Sequence, residues 1–475
     1  MKKFFFLSLL VAACVPVTNE DIITAIHESQ FTKADSLIKH YLCQNDLPIL
    51  EQLEWHFQID RMQRIRSDFS ATDSTVLLFL KNYYTEEELT SEQLLEWEES
   101  NALEWMMIDG EKRYFNNAAR NLFRIDPLAR KRWEAVNGNQ PDSLNRFLAK
   151  NLPGVVTAAK WQYRYRNTVN PVNMEVTYTL TVKPDAVPEG EVIRAWLPLP
   201  RTDIPRQTNF KLGSTCQPDY IVAPEHFDHK TIYMEQKAVA GEPTVFTYSF
   251  SYTAYAQWFD VNPDKLQPYN TQSELYQTYT AQRAPHILFS ERIQQLCKEV
   301  VGDEQNPYLK VKKIYEWIDQ NFPWASAREY STLANIPEYV LDNRHGDCGQ
   351  VSLLFITMAR CAGVPAKWQS GFMMHPGNKN LHDWAEVYYE GIGWVPVDQS
   401  FGRMLLAQDD EVYWFFTKGI DAYHLVVNQD ISQPLYPAKT WPRSETVDFQ
   451  RGEVEWRGGN LYFGDWRYRM DISYK

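Results

Sequence analysis

The spacing of apolar residues changes period along this chain, and the changes divide it. From about Glu20 to Asn151 apolar positions recur at helical spacing, with Leu53, Phe57, Ile59, Met62 and Ile65 forming one stripe. Thr85 and Glu88 have the spacing of a capping box, which predicts a helix start there. Pro153-Gly154 marks a shift in composition, and beyond it the period becomes two. Met174 to Val182 and Phe246 to Tyr252 both alternate apolar and polar residues. Such runs, separated by Pro and Gly, predict an antiparallel sandwich with one wet face. Helical spacing returns after Asn306-Pro307, with Val311, Ile314, Tyr315 and Ile318 on one side. After Leu425 the pattern is β again; Trp466, Tyr468, Met470 and Ile472 alternate, and this tail is expected to complete the core sheet or the sandwich. The expected architecture is α+β and multidomain: a helical domain over 14–151, an antiparallel β-sandwich over 155–262, an α+β core over 283–425 and a β-rich C-terminal extension over 426–475.

Within the core, Val351, Leu353, Leu354, Phe355, Met358, Ala359 and Ala362 predict a largely buried helix that stops at Gly363 and Pro365. Cys348 then lies at or just before the helix N-terminus. Unpaired backbone N–H groups and the positive dipole end there favour thiolate over thiol and could also stabilise an oxyanion. His382 to Tyr388 reads as a strand, Glu390 to Gly393 as a turn and Trp394 to Asp398 as the return strand. A three-residue turn at Gly391 to Gly393 would set Asp398 opposite Glu386, on the same face as His382 but roughly 13 Å further along. Contact between the two would then require a wider turn or a bulge. A thiol before a helix, with a histidine and an aspartate on later strands, is the set that nucleophilic acyl transfer requires.

Four blocks in this order are similar to the bacterial transglutaminase-like superfamily: Arg344-His345-Gly346-Asp347-Cys348, Ala359 to Ala366, His382-Asp383-Trp384-Ala385-Glu386-Val387, and Gly393 to Asp398. The resemblance covers about Arg283 to Leu425 and implies a papain-like core. It implies Cys348 as nucleophile, His382 as general base and acid, and Asp398 as the group that orients His382. It also implies a second oxyanion donor, for which Trp324 is the first candidate, because an indole N–H only donates, and Gln350 the second. Asp383 departs from the family's small or apolar residue; a carboxylate there would raise the basicity of His382 or face solvent. No calcium-ligand pattern accompanies the blocks.

Charge and cysteine content narrow the function classes. The net charge is −13, which argues against nucleic acid and against an electrostatic hold on anionic lipid. Residues 1–13 have a basic start, a short apolar run and a small-residue end, the pattern of a signal peptide. Val11-Ala12-Ala13-Cys14 resembles a bacterial lipobox, which implies lipidation of Cys14 and an exported chain anchored in the cell envelope, periplasmic or surface-exposed. Cys43, Cys216, Cys297, Cys348 and Cys361 are too scattered for a disulfide framework or a zinc pair, so neither a metal nor a cofactor is expected. His375 and His424 have no partner pattern and read as ordinary surface or core histidines. The expected activity is acyl transfer or hydrolysis on a peptide or amide bond through a thioester, with water or an amine as acceptor. The alternative is a catalytically silent envelope protein whose sandwich and helical domain hold another protein or a glycan.

Overall fold

The computed structural model describes residues 17–138, 142–162 and 167–475; the expected signal sequence and the expected lipidation site, Cys14, lie outside these. Between Asn19 and Asn137 the helical stripes pack on one another around Ile22, Phe31, Ile38, Trp55, Met62, Leu80 and Leu122, a core separate from the rest. The Thr85–Glu88 pattern closes a turn, with the Thr85 N–H 2.8 Å from Glu88 Oε2, but no helix grows from it. Glu86, Glu87 and Glu88 offer nothing to bury, and the helix starts at Ser91 behind the Thr90 cap. The shift at Pro153-Gly154 likewise falls inside an element, the helix Ser143–Gln162. Proline removes one rung of the ladder. The buried stripe Leu148, Leu152, Val155, Val156 and Ala159 continues past that rung and holds the helix against the first sandwich strands.

Two sheets follow. One orders the strands Gly419–Ile420, Thr244–Trp258, Thr168–Val182 and Trp466–Tyr474, with Gln207–Thr215 also paired to Thr244–Trp258. The other orders Gly459–Leu461, Glu453–Trp456, Val192–Pro198, Thr231–Lys237 and Ile221–Val222. The alternation predicted for Met174 to Val182 holds through the strand, with Met174, Val176, Tyr178, Leu180 and Val182 all buried. The C-terminal strands therefore complete both sheets of the sandwich rather than the core sheet.

The core sheet is antiparallel and orders Gly393–Val397, Asn378–Tyr389, Ala366–His375 and His424–Asn428. The helix Cys348–Cys361 lies on it, and every residue from Gly349 to Arg360 is buried. It shares one continuous apolar core with the sandwich. The hairpin after Asn378–Tyr389 turns at Glu390 to Ile392, because Tyr389 pairs with Gly393. That register differs by two residues from the one predicted. Continued by one position, it sets Asp398 opposite Trp384, close enough for its side chain to reach His382.

Leu353 is fully buried in this helix. Leu353→Ala should cost about 2–5 kcal/mol, as truncation of a buried leucine leaves a cavity. Urea denaturation followed by tryptophan fluorescence would measure it.

Candidate active site

A helix whose first turn is buried must find partners for its free N–H groups. Asp347 supplies them: its carboxylate accepts from the Gln350 N–H at 3.0 Å, and Gln350 Oε1 accepts from the Asp347 N–H at 3.2 Å. Cys348 is the first helical residue, partly accessible at the floor of a 410 Å³ pocket. Its thiol donates to Asp383 Oδ2 at 3.4 Å. Tyr330 Oη donates to Asp347 at 2.7 Å and lies 3.4 Å from Asp383 Oδ2. The next residue, Gly349, leaves room for this group: a Cβ there would stand 2.2 Å from Tyr330 Oη and 2.7 Å from Asp383 Oδ2.

The surroundings of Cys348 are acidic, and this reverses the effect expected of the helix end. Burial pushes the Cys348 thiol well above its ordinary range, and the charges of Asp383 and Asp347 add to it. Burial also raises Asp347 to about 6, and raises Asp383 further, with Asp448 and Asp347 contributing. Burial first, and then the two neighbouring carboxylates, work against the N-terminal dipole and favour the thiol. Asp383 neither faces solvent nor touches the His382 ring. It is buried, on the helix side of the sheet, with Gln450 Nε2 donating to Oδ1 at 2.6 Å.

His382 belongs to a different group. Neighbouring residues of a strand point to opposite faces, so His382 and Trp384 lie away from Asp383. Trp384 packs there with Ile420 and Val426. His382 Nε2 lies 2.6 Å from Asp398 Oδ2. The same oxygen is 2.9 Å from His424 Nε2, and His424 Nδ1 is 2.8 Å from Asp421 Oδ1. Asp421 Oδ2 is in turn 2.7 Å from His375 Nε2. Three histidines and two aspartates therefore alternate in one buried chain. Burial alone would raise Asp398, but His382 and His424, with Ser400 and Phe401 N–H groups on Oδ1, hold it below the usual carboxylate range. Burial keeps His382 neutral against the pull of Asp398. Its Nε2–H then donates to Asp398, which leaves the Nδ1 lone pair free to take a proton. Burial would also lower His424, but Asp421 and Asp398 outweigh it and favour the imidazolium. By atom type these groups would suit a divalent cation. In the structure the Asp398 and Asp421 oxygens are instead hydrogen-bonded to ring nitrogens of His382, His424 and His375.

The predicted residues thus fall into two clusters. The structure brings His382 and Asp398 together and gives Cys348 a different partner, Asp383. Trp324 lines the Cys348 pocket, 42% exposed, on a short parallel bridge to Gly346. Gln350 is buried, and its side-chain oxygen is used in the cap. Sequence patterns gave no sign of Tyr330, Asp421, His424, Asp448 or Gln450, each an isolated polar residue in an apolar or irregular stretch. His424, expected to be an ordinary surface or core histidine, lies instead in the buried strand His424–Asn428, bonded to Asp398 and Asp421.

Residues 294–399 match the model of the transglutaminase-like superfamily, so this span is a transglutaminase-like core. An uncharacterized Bacillus subtilis protein, YebA, is 27% identical over 130 residues, 24% of this chain and 18% of that protein. An uncharacterized Haemophilus influenzae protein is 26% identical over 167 residues, 29% of this chain and 44% of its own length. The chain therefore spans less than half the length of either curated relative. Among solved structures, a candidate cysteine protease from Cytophaga hutchinsonii aligns with a TM-score of 0.44 at 14% identity, over 65% of this chain and 91% of that one. The periplasmic domain of TgpA from Pseudomonas aeruginosa aligns at 0.26 and 14% identity, over 50% and 93%. No helix among the described residues is long and apolar enough to cross a membrane.

Asp347→Asn separates cap from charge, since asparagine caps as well as aspartate. A carboxyl raised to about 6 costs stability as pH rises through that value, because the unfolded chain has already lost the proton near pH 4. The variant should melt higher than wild type at about pH 8 and match it at about pH 4. Differential scanning fluorimetry across pH checks this.

Proposed function

We propose that the core performs cysteine-based acyl transfer or hydrolysis on an amide or peptide carbonyl, through a thioester on Cys348. One observation carries the reading: Cys348 opens the first turn of a buried helix in an accessible pocket, while the residue next to its partner Asp383 is a neutral histidine locked to an anionic aspartate. In this reading Cys348 is the nucleophile, His382 takes and returns the proton through Nδ1, and Asp398 fixes its tautomer. The Asp383 contact is a resting state. It holds the proton on sulfur; transfer to His382, which points to the opposite face of the strand, requires the thiol and the imidazole to come together once a substrate carbonyl occupies the pocket. The Trp324 indole N–H, at the rim, is the side-chain candidate to bind the oxyanion. Water or an amine resolves the thioester. Export and lipid attachment at Cys14 form part of the same proposal, as does a peptide or protein substrate in the cell envelope.

A second reading has a specific observation behind it. A thiol bonded to a carboxylate and raised by two of them is what a silent scaffold would keep. Acylation by p-nitrophenyl acetate, with the adduct located by mass spectrometry, separates the two. The catalytic reading expects acetylation at Cys348 that falls by about a hundredfold or more in His382→Ala, the usual share of a positioned base. Asp383→Asn removes the carboxyl to which the thiol is bonded, so alkylation of Cys348 by iodoacetamide should become faster near neutral pH. Acylation indifferent to His382 would leave the scaffold reading.

A further inference from the structure

A second, larger cleft of 840 Å³ opens between the helical domain and the core. Trp324 lines both this cleft and the Cys348 pocket. Gly346, Val351, Gln399 and Ser400 bring its floor beside the nucleophile helix and next to Asp398. Its outer wall comes from the helices Ala118–Ile125 and Pro127–Asn137 and carries Arg120, Arg124 and Arg130 among the rings of Phe79, Tyr83, Phe123 and Trp133.

These three arginines lack acidic partners. Among the described residues none of them forms an ion pair with a carboxylate, in a chain whose net charge is −13. Arg124 is half-buried; it donates to Ser326 Oγ at 3.1 Å and stands 4.6 Å above the Trp324 ring. Burial lowers its affinity for a proton, and the charge of Arg120 lowers it further. Arg130 donates to the Arg124 carbonyl. Arg120 is exposed and meets only the Phe79 ring, at 5.9 Å. Of the two carboxylates in the lining, Asp319 is already bonded to Arg403 at 2.6 Å, which leaves Glu134. Three fixed cations converging on one aromatic-walled cleft repel one another until an anion arrives, and a guanidinium matches a carboxylate in shape as well as charge.

We infer that this cleft binds an acidic peptide, with carboxylate side chains on Arg120, Arg124 and Arg130 and an apolar or aromatic side chain between the rings. Resting on the acyl-transfer reading above, the peptide is the acyl donor, held alongside the Cys348 pocket across Trp324. None of the three arginines lines the Cys348 pocket, so they would set specificity rather than chemistry.

The test is a binding measurement on the Cys348→Ala chain, so that it does not depend on thiol chemistry. Titration calorimetry would compare acetyl-Glu-Phe-Glu-amide with acetyl-Gln-Phe-Gln-amide and a hexauridylate. The acidic peptide should bind about tenfold tighter than its neutral isostere at low salt, a preference that shrinks as salt rises. Arg120→Gln, at an exposed position with no hydrogen bond to lose, should reduce that preference severalfold, whereas Arg469→Gln, exposed and paired to Asp471 elsewhere, should not. Equal affinity for the two peptides, or a preference indifferent to Arg120, overturns the inference. So does a hexauridylate that binds more tightly through the same arginine. Loss of this preference with Cys348 acylation intact falls on the cleft alone; a silent Cys348 with the preference intact falls on the acyl-transfer reading.

Discussion

A buried helix start has no water to satisfy its first N–H groups, and the rest of this site depends on how that demand is met. Asp347 meets it, and a carboxylate is thereby fixed beside Cys348. A lone carboxylate in that position is costly to ionise, so it draws a donor, Tyr330, which also stands within reach of Asp383. Gly349 is the residue that permits this crowding. The cap thereby adds to the burial and the Asp383 charge that already disfavour a thiolate. A helix N-terminus ordinarily favours thiolate, but one capped by an aspartate and faced by another favours thiol.

The strand Asn378–Tyr389 divides the chemistry into two layers. One side carries Asp383 toward the helix Cys348–Cys361, and the other carries His382 toward Asp398, His424 and Asp421. On the second side two anionic aspartates alternate with histidines, and His424 donates from both nitrogens. On the first side carboxylates outnumber cations, and burial resolves the excess by holding protons. Two neighbouring residues thus sit in environments of opposite electrostatic character.

Local spacing carried much of this. The helix from Cys348, its asparagine-started neighbour Pro307–Asn321 and the alternating strand around Tyr178 all follow from short-range periodicity, because each buries one continuous stripe. The order of cysteine, histidine and aspartate was visible for the same reason. The hairpin register was misjudged by two residues, since either Glu390 or Gly391 can open the turn and only the pairing of Tyr389 with Gly393 decides. The buried chain beyond Asp398 could not be read at all. Asp421 and His424 pair with each other three residues apart, but they gain their meaning from His375 and Asp398, 46 and 26 residues away. Nor could the raised thiol be foreseen, because it depends on which face Asp383 occupies.

The wall of the Cys348 pocket includes Glu445, Asp448, Gln450 and Arg451, which precede the strands that finish the sandwich. Translation is vectorial, so the segment 294–399 leaves the ribosome well before these residues exist. Until then Asp383 lacks its Gln450 partner, and the thiol lies open on an unfinished surface. The sandwich and the Cys348 pocket are coupled in time as well as in space: the sulfur comes under cover only as the later strands find their sheets.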